Sequence, residues 1–206
     1  KMVIGLCGLI GVGKGTVADI LVEQGFAKVS FADKLKDGVS TIFGWDRDLL
    51  EGDTDESRQW REQRDDFWSN ETKMEITPRL VMQLFGTDCM RNAFYDGVWV
   101  SLLKKTILEN PGNYVIPDVR FRNEQNMLRD IGGEVWMIKR GDNPEWWSKA
   151  VLDNATGSNF MADEDVHTSE WKWIDTNDQF DEIVYNDSTL NDLRHQVLGN
   201  LGAIPF

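Results

Sequence analysis

Cysteine and histidine are scarce in this chain, two of each in 206 residues. Cys7 and Cys89 are too few for a disulfide framework and lack the spacing of a metal knuckle, which excludes a disulfide-stapled or zinc-built fold. His195 sits in a terminal helical stretch, and His167 beside Glu170 is read as shaping a loop. Reduced thiols point to a cytoplasmic setting. No run approaches the roughly 18 consecutive apolar residues that cross a bilayer, so no membrane partner is expected. The stretch Lys1-Met2-Val3-Ile4-Gly5-Leu6-Cys7-Gly8 has no small-residue cleavage site and runs straight into glycines, unlike a secretory leader. Basic residues are outnumbered, 22 Lys and Arg against 35 Asp and Glu, a formal net charge of −13. Long nucleic acid needs a basic face and is excluded as a partner. Any phosphate site must be a local basic focus in an acidic surface.

What is present is a hydrophobic share of 41%, enough for one core, in a length that suits a single α/β domain. Strands are predicted at 2–7, 27–31, 114–116, 134–138 and 182–185. Helices are predicted after residue 15, over 77–90 with a break at Gly86-Thr87-Asp88, from Trp99 to Asn110, over 123–131 and over 189–198. Thr77 caps the second of these, with Pro78 in its first turn. Residues 33–75 read as a helical insert. Residues 141–168, rich in Gly, Pro, Asn and Asp, read as a long lid-like loop. Strand alternating with helix implies a parallel sheet of about five strands with helices on both faces. Ligands bind at the carboxyl ends of such strands.

The strongest motif is Gly8-Leu9-Ile10-Gly11-Val12-Gly13-Lys14-Gly15-Thr16, placed between the first strand and the first helix. It fits G-x-x-x-x-G-K, the loop of the three-layer P-loop NTPase fold. Glycines turn backbone N–H groups inward around phosphate oxygens, and the following helix offers its positive end to the same anion. Lys14 would reach the β- and γ-phosphates of ATP. Gly15 stands where many such loops place the Ser or Thr that holds Mg²⁺, as in the adenylate-kinase type of loop. The ion is therefore expected through water near Thr16 and Asp118. Gly11, Val12, Gly13, Lys14, Gly15 and Thr16 form the expected ATP site.

A second cluster follows the strand at 114–116. Asp118 can orient the water shell of Mg²⁺, and Arg120 and Arg122 carry forked donors suited to phosphate. Arg79 and Gln83 lie one turn apart on one helix face. Lys34 and Lys36 follow the second strand. Trp99 and Phe67-Trp68 are candidates for stacking on a base, against the commoner role of filling a core.

Together these residues resemble the phage-type deoxynucleoside monophosphate kinases. The landmarks are the glycine loop, Ala32-Asp33-Lys34-Leu35-Lys36-Asp37 and Arg79-Leu80-Val81-Met82-Gln83-Leu84-Phe85-Gly86-Thr87-Asp88. They continue through Trp99-Val100, Tyr114-Val115-Ile116-Pro117-Asp118-Val119-Arg120 with Glu124, His167-Thr168-Ser169-Glu170, and Asn186-Asp187-Ser188-Thr189-Leu190. The resemblance implies that Lys36, Arg79, Gly86, Thr87, Trp99, Asp118, Arg120, Glu124 and Thr168 line a monophosphate site, with Gln83 beside them. It implies a homodimer and, for a phage-encoded enzyme, a host-cytoplasmic place in deoxynucleotide biosynthesis. Where the family carries Lys-Arg inside its loop, this chain has Ile10-Gly11-Val12, so an arginine contact to ATP falls to Arg140 or Arg122. The animal-type phosphomevalonate kinases share the same landmarks more weakly.

The expected chemistry is in-line transfer of the γ-phosphoryl group of ATP to an already ionised phosphate oxygen. Lys14, Arg79, Asp118 and Arg120 act by alignment and charge neutralisation. The 141–168 segment carries six carboxylates between Asp142 and Asp165 against the single base Lys149. It is expected to exclude water rather than to donate charge. A nucleoside kinase using Asp33 as base and a non-catalytic ATP-binding module are the alternatives.

Overall fold

The computed structural model describes residues 1–174 and 180–202. Five strands, β1 (Val3–Cys7), β2 (Ala27–Lys28), β3 (Tyr114–Ile116), β4 (Glu134–Lys139) and β5 (Glu182–Tyr185), form one sheet in the order β2-β3-β1-β4-β5. Every pairing is parallel, with Val3 opposite Tyr114 and Ile4 opposite Glu134. Central β1 is buried from Ile4 to Cys7, as a strand covered on both faces must be.

Side chains alternate across β1, and the alternation separates two layers of helix. Ile4 and Leu6 join a core made with Val17, Ala18, Ile20 and Leu21 of α1 (Lys14–Glu23) and Leu193 and Val197 of α10 (Leu190–Asn200). Gly5 faces the other way, against Leu128 of α8 (Arg122–Asp130). A Cβ on Gly5 would lie 2.3 Å from the Leu128 side chain, so the missing side chain is what lets α8 press onto the sheet. The result is a three-layer α/β sandwich, with helices on both faces of the parallel sheet.

The chain divides into two compact units, Lys1–Ser30 with Thr106–Phe206, and Phe31–Lys105. The sheet belongs to the first. The second is helical and reaches past the insert boundary expected at residue 75. It holds α2 (Asp33–Phe43), α3 (Arg47–Glu51), α4 (Asp55–Arg61), α5 (Asp66–Thr72), α6 (Pro78–Gln83), a π-helix (Leu84–Asn92) and the opening turns of α7 (Val98–Glu109). Short helices in so polar a stretch depend on their caps. Asp46 accepts the N–H of Asp48, Thr54 and Ser57 form a reciprocal capping box, Asp65 accepts from Trp68, and Thr77 accepts from Leu80. Their apolar faces close on Val39, Leu50, Ile76, Val81 and Met82, rimmed by Phe43, Trp45, Trp60 and Trp68. Trp68 thus fills a core.

Three expectations are corrected here. The second strand is two residues long, Ala27–Lys28, and among the described residues it is an edge strand paired with β3 alone. The helix expected to break at Gly86 continues as a π-helix, with Gly86 buried against Leu35 instead of ending the turn. The 141–168 segment is not a structureless loop. It contains α9 (Trp147–Thr156) and a 3₁₀ turn at Phe160–Asp163, and a second 3₁₀ turn, Thr168–Glu170, begins at its last residue. Buried Asp153 ties α9 to the first of these turns by accepting the N–H groups of Phe160 (2.9 Å) and Met161 (2.7 Å). Among the described residues no helix is long and apolar enough to cross a membrane.

Candidate active site

The glycine loop runs from the end of β1 into α1. Gly13 precedes the helix at φ 103°, a left-handed conformation in which glycine alone is unstrained. Asn186, at the end of β5, donates from Nδ2 to the Val12 carbonyl at 2.9 Å. A Cβ on Gly13 would stand 2.5 Å from that same nitrogen. The loop is therefore braced from across the sheet, by a residue the sequence reading named only as a landmark. The first turn of α1 carries no acidic residue and no side-chain cap, so its N–H groups are open to an anion.

Lys14 curls over this loop, donating from Nζ to the carbonyls of Gly8 (2.7 Å) and Leu9 (2.9 Å). Burial, with the positive charge of Arg120 next, holds its ammonium below the usual lysine range, while Glu170 and Asp118 oppose the shift. Lys14, Arg120, Asp118 and Glu170 thus form one electrostatic cluster at the carboxyl ends of β1 and β3. Arg120 Nη1 donates to Ser169 Oγ at 3.3 Å. Its guanidinium lies 3.8 Å from Asp118 and 3.8 Å from Glu170. Ser169 and Glu170 reach Arg120 through the 3₁₀ turn at Thr168, which His167 caps by accepting the Ser169 N–H on Nδ1. Thr168 opens that turn, exposed.

Glu124, expected to line the ligand site, is turned to the backbone. Its Oε2 accepts the N–H groups of Arg120 (2.7 Å) and Phe121 (3.1 Å), closing the turn between β3 and α8. Burial pushes this carboxyl up to about 7, against the lowering effect of the two donors. Arg140, exposed at the end of β4, lines a small recess with Leu9 and Val12 of the glycine loop and with Asp142, Asn143 and Trp147.

The helical unit has its own cavity, about 460 Å³. Lys36, Arg79, Gln83, Gly86, Thr87 and Trp99, six residues expected at a monophosphate site, all line it. α2 supplies Lys36, whose ammonium lies 3.0 Å from Glu51. α6 and the π-helix supply Arg79, Gln83, Gly86 and Thr87. Trp99 is fixed at the rim by donation from Nε1 to the Gly86 carbonyl at 3.0 Å. Arg61 and Arg91 also line the cavity, and sequence reasoning missed both. Nothing in their spacing separates them from the other charges of the insert. Asp33, the alternative base, lies 3.7 Å from the Arg47 guanidinium. Both cysteines are free, Cys7 buried with its thiol pushed up to about 12 by desolvation, Cys89 exposed.

Residues 50–197 match the model of the deoxynucleotide monophosphate kinase family. A protein of Acanthamoeba polyphaga mimivirus, assigned as a deoxynucleotide monophosphate kinase, is 28% identical over 211 residues, covering 96% of this chain and 94% of that one. The deoxynucleoside-5′-monophosphate kinase of Escherichia phage T5 is 39% identical over 56 residues, 27% of this chain and 22% of that one. Among solved structures, TT1252 from Thermus thermophilus overlays with a TM-score of 0.48 at 17% identity, covering 100% of this chain and 98% of that one. With the family's model matched across most of its length, the chain belongs to the deoxynucleotide monophosphate kinases.

Proposed function

We propose that the chain transfers the γ-phosphoryl group of ATP to a deoxynucleoside monophosphate, giving the diphosphate. The observation that carries this reading is the convergence of Lys36, Arg79, Gln83, Gly86, Thr87 and Trp99 on one cavity. These residues lie on three separate stretches of sequence, and helical spacing gathers only Arg79, Gln83 and Thr87 among them. A cavity with cationic groups and one tethered indole suits an anionic ester carrying a flat base.

The triphosphate would lie on the N–H groups from Gly11 to Thr16, with Lys14 on its terminal phosphates and Arg140 beside the loop. Entry of the anion gives Lys14 a stronger partner than the carbonyls of Gly8 and Leu9. Mg²⁺ fits here as an ion held through water. A Cβ on Gly15 would meet nothing within 4 Å, so the loop leaves open the space where a direct hydroxyl ligand would sit. The Thr16 hydroxyl and the Asp118 carboxylate are accessible hard oxygens. When bound, the ion would neutralise charge on the phosphate oxygens.

The acceptor oxygen of a phosphate monoester is ionised at neutral pH, so no general base is needed. Asp118 and Arg120 would serve alignment and charge, with the Thr168–Glu170 turn holding Arg120 in place. A cytoplasmic place and a homodimer belong to the same reading, and sedimentation of the purified chain tests the latter. The activity is tested by coupled ADP release with ATP, Mg²⁺ and a panel of dAMP, dGMP, dCMP, dTMP and their ribose counterparts. Release that depends on a deoxynucleoside monophosphate is expected. Release with a deoxynucleoside alone, or with no acceptor dependence, overturns the reading.

A further inference from the structure

Arg61 ends α4 and lines two hollows of the helical unit. One is the acceptor cavity, the other an open groove of about 590 Å³ bounded by Arg58, Gln59, Arg61, Glu62, Gln63 and Arg79. Its environment differs from that of every other arginine in residues 31–105. Arg47 is paired with Asp33, Asp37 and Glu51, Arg58 with Asp55, and Arg64 with Asp66. Arg79 is paired with Glu62, and Arg91 with Asp96. Among the described residues Arg61 has no carboxylate partner, and its buried Nε has no hydrogen-bond partner at all. In a chain of net charge −13 the acidic residues outnumber the basic ones, so an unpaired, half-buried guanidinium is the exception. Leaving such a group uncompensated is costly unless an anion completes it.

The guanidinium also has a built seat. Gly52 closes α3 at φ 72°, and a Cβ there would come within 2.4 Å of Arg61 Cζ and 2.5 and 2.6 Å of its two terminal nitrogens. A side chain at this position would displace the planar fork from where it lies on the turn. The fork packs against this turn, and Arg61 borders the cavity. That geometry suits two parallel bonds to a phosphate.

We propose that Arg61, carried on the Gly52 turn, grips the phosphate of the acceptor and so separates a monophosphate from its parent nucleoside. The inference rests on the acceptor cavity of the previous subsection being the monophosphate site. Arg79, already engaged by Glu62, contributes less to this discrimination than Arg61, which has no bond to give up.

The test is calorimetric titration of deoxynucleoside monophosphates and of the parent deoxynucleosides into the wild-type chain, R61A, R61Q and G52A, each first shown folded by circular dichroism. R61A and R61Q are expected to weaken monophosphate binding about 10- to 100-fold, the range for losing hydrogen bonds to a charged group. Deoxynucleoside affinity is expected to stay within about twofold, because the base and sugar contacts remain. G52A, which displaces the fork without removing it, is expected to fall between. In steady state the change appears in KM for the monophosphate, with KM for ATP unchanged. An R61A protein that binds monophosphates as the wild type does, or that loses nucleoside and monophosphate affinity equally, overturns the assignment while leaving the acceptor reading intact. A wild-type chain that binds monophosphates no better than nucleosides overturns both.

Discussion

The Glu124 carboxylate accepts the Arg120 backbone N–H at 2.7 Å, so Arg120 is held by its own main chain. Burial is the main cause that pushes this carboxyl from 4.5 to about 7. A carboxyl raised in the folded state stabilises the fold fully below its unfolded value, and that contribution is lost as pH rises through about 7. At about 1.4 kcal/mol per pH unit the difference is on the order of 3 kcal/mol between pH 4 and pH 8. Glu124→Gln keeps an acceptor oxygen and removes the titration. Denaturant melts from pH 5 to 8 should show wild-type stability falling relative to the variant. Parallel curves would mean that Glu124 does not titrate in this window.

Arg120 itself is tested by substitution. Arg120→Ala should cost about 10²- to 10³-fold in kcat, the usual loss for one preorganised donor to a charged transition state. ATP affinity should be nearly unchanged, since the loop amides and Lys14 are untouched. Arg120→Lys should recover only part, because an ammonium lacks the fork that spans Ser169, Asp118 and Glu170. Normal turnover in the alanine variant would remove Arg120 from the reaction.

Gly13→Ala combines two penalties, a left-handed backbone and a Cβ 2.5 Å from Asn186 Nδ2. The backbone part alone is about 1–2 kcal/mol. Adding Asn186→Ala to Gly13→Ala should relieve the collision but not the backbone cost. The double variant should then be less destabilised than the sum of the singles. Additive values in urea melts would show that the two residues do not press on each other.

Asp153→Ala should destabilise the chain by about 2–3 kcal/mol, because it leaves the N–H groups of Phe160 and Met161 without their acceptor. Asp153→Asn should recover part of that, through one amide oxygen. Hydrogen exchange at Phe160 and Met161 is the local readout. Unchanged protection in the alanine variant would show that other contacts hold the turn.

The sheet was legible because each of its signals is local. β1, β3 and β4 are short apolar runs, and the glycine loop states its own geometry. The acceptor residues were legible through resemblance. Lys36, the Arg79–Gln83 pair and Trp99 stand far apart in the chain, and only folding joins them. Arg61 was illegible for a different reason. It stands in a stretch of mixed charge, and its distinction is the absence of a partner that all its neighbours possess. The same holds for Glu124, whose inward turn follows from backbone bonds that no residue type announces, and for α9, which is fixed by the buried carboxylate of Asp153.

The wide helix from Leu84 to Asn92 closes its backbone hydrogen bonds over five residues where an α-helix uses four. Excising a single residue from it would change the phase of everything downstream relative to Gln83. Gln83 would keep its place on the cavity wall, while Arg91 would swing off it. Sequence length between these two positions is therefore under geometric control, and relatives that differ there by one residue should differ in what they admit.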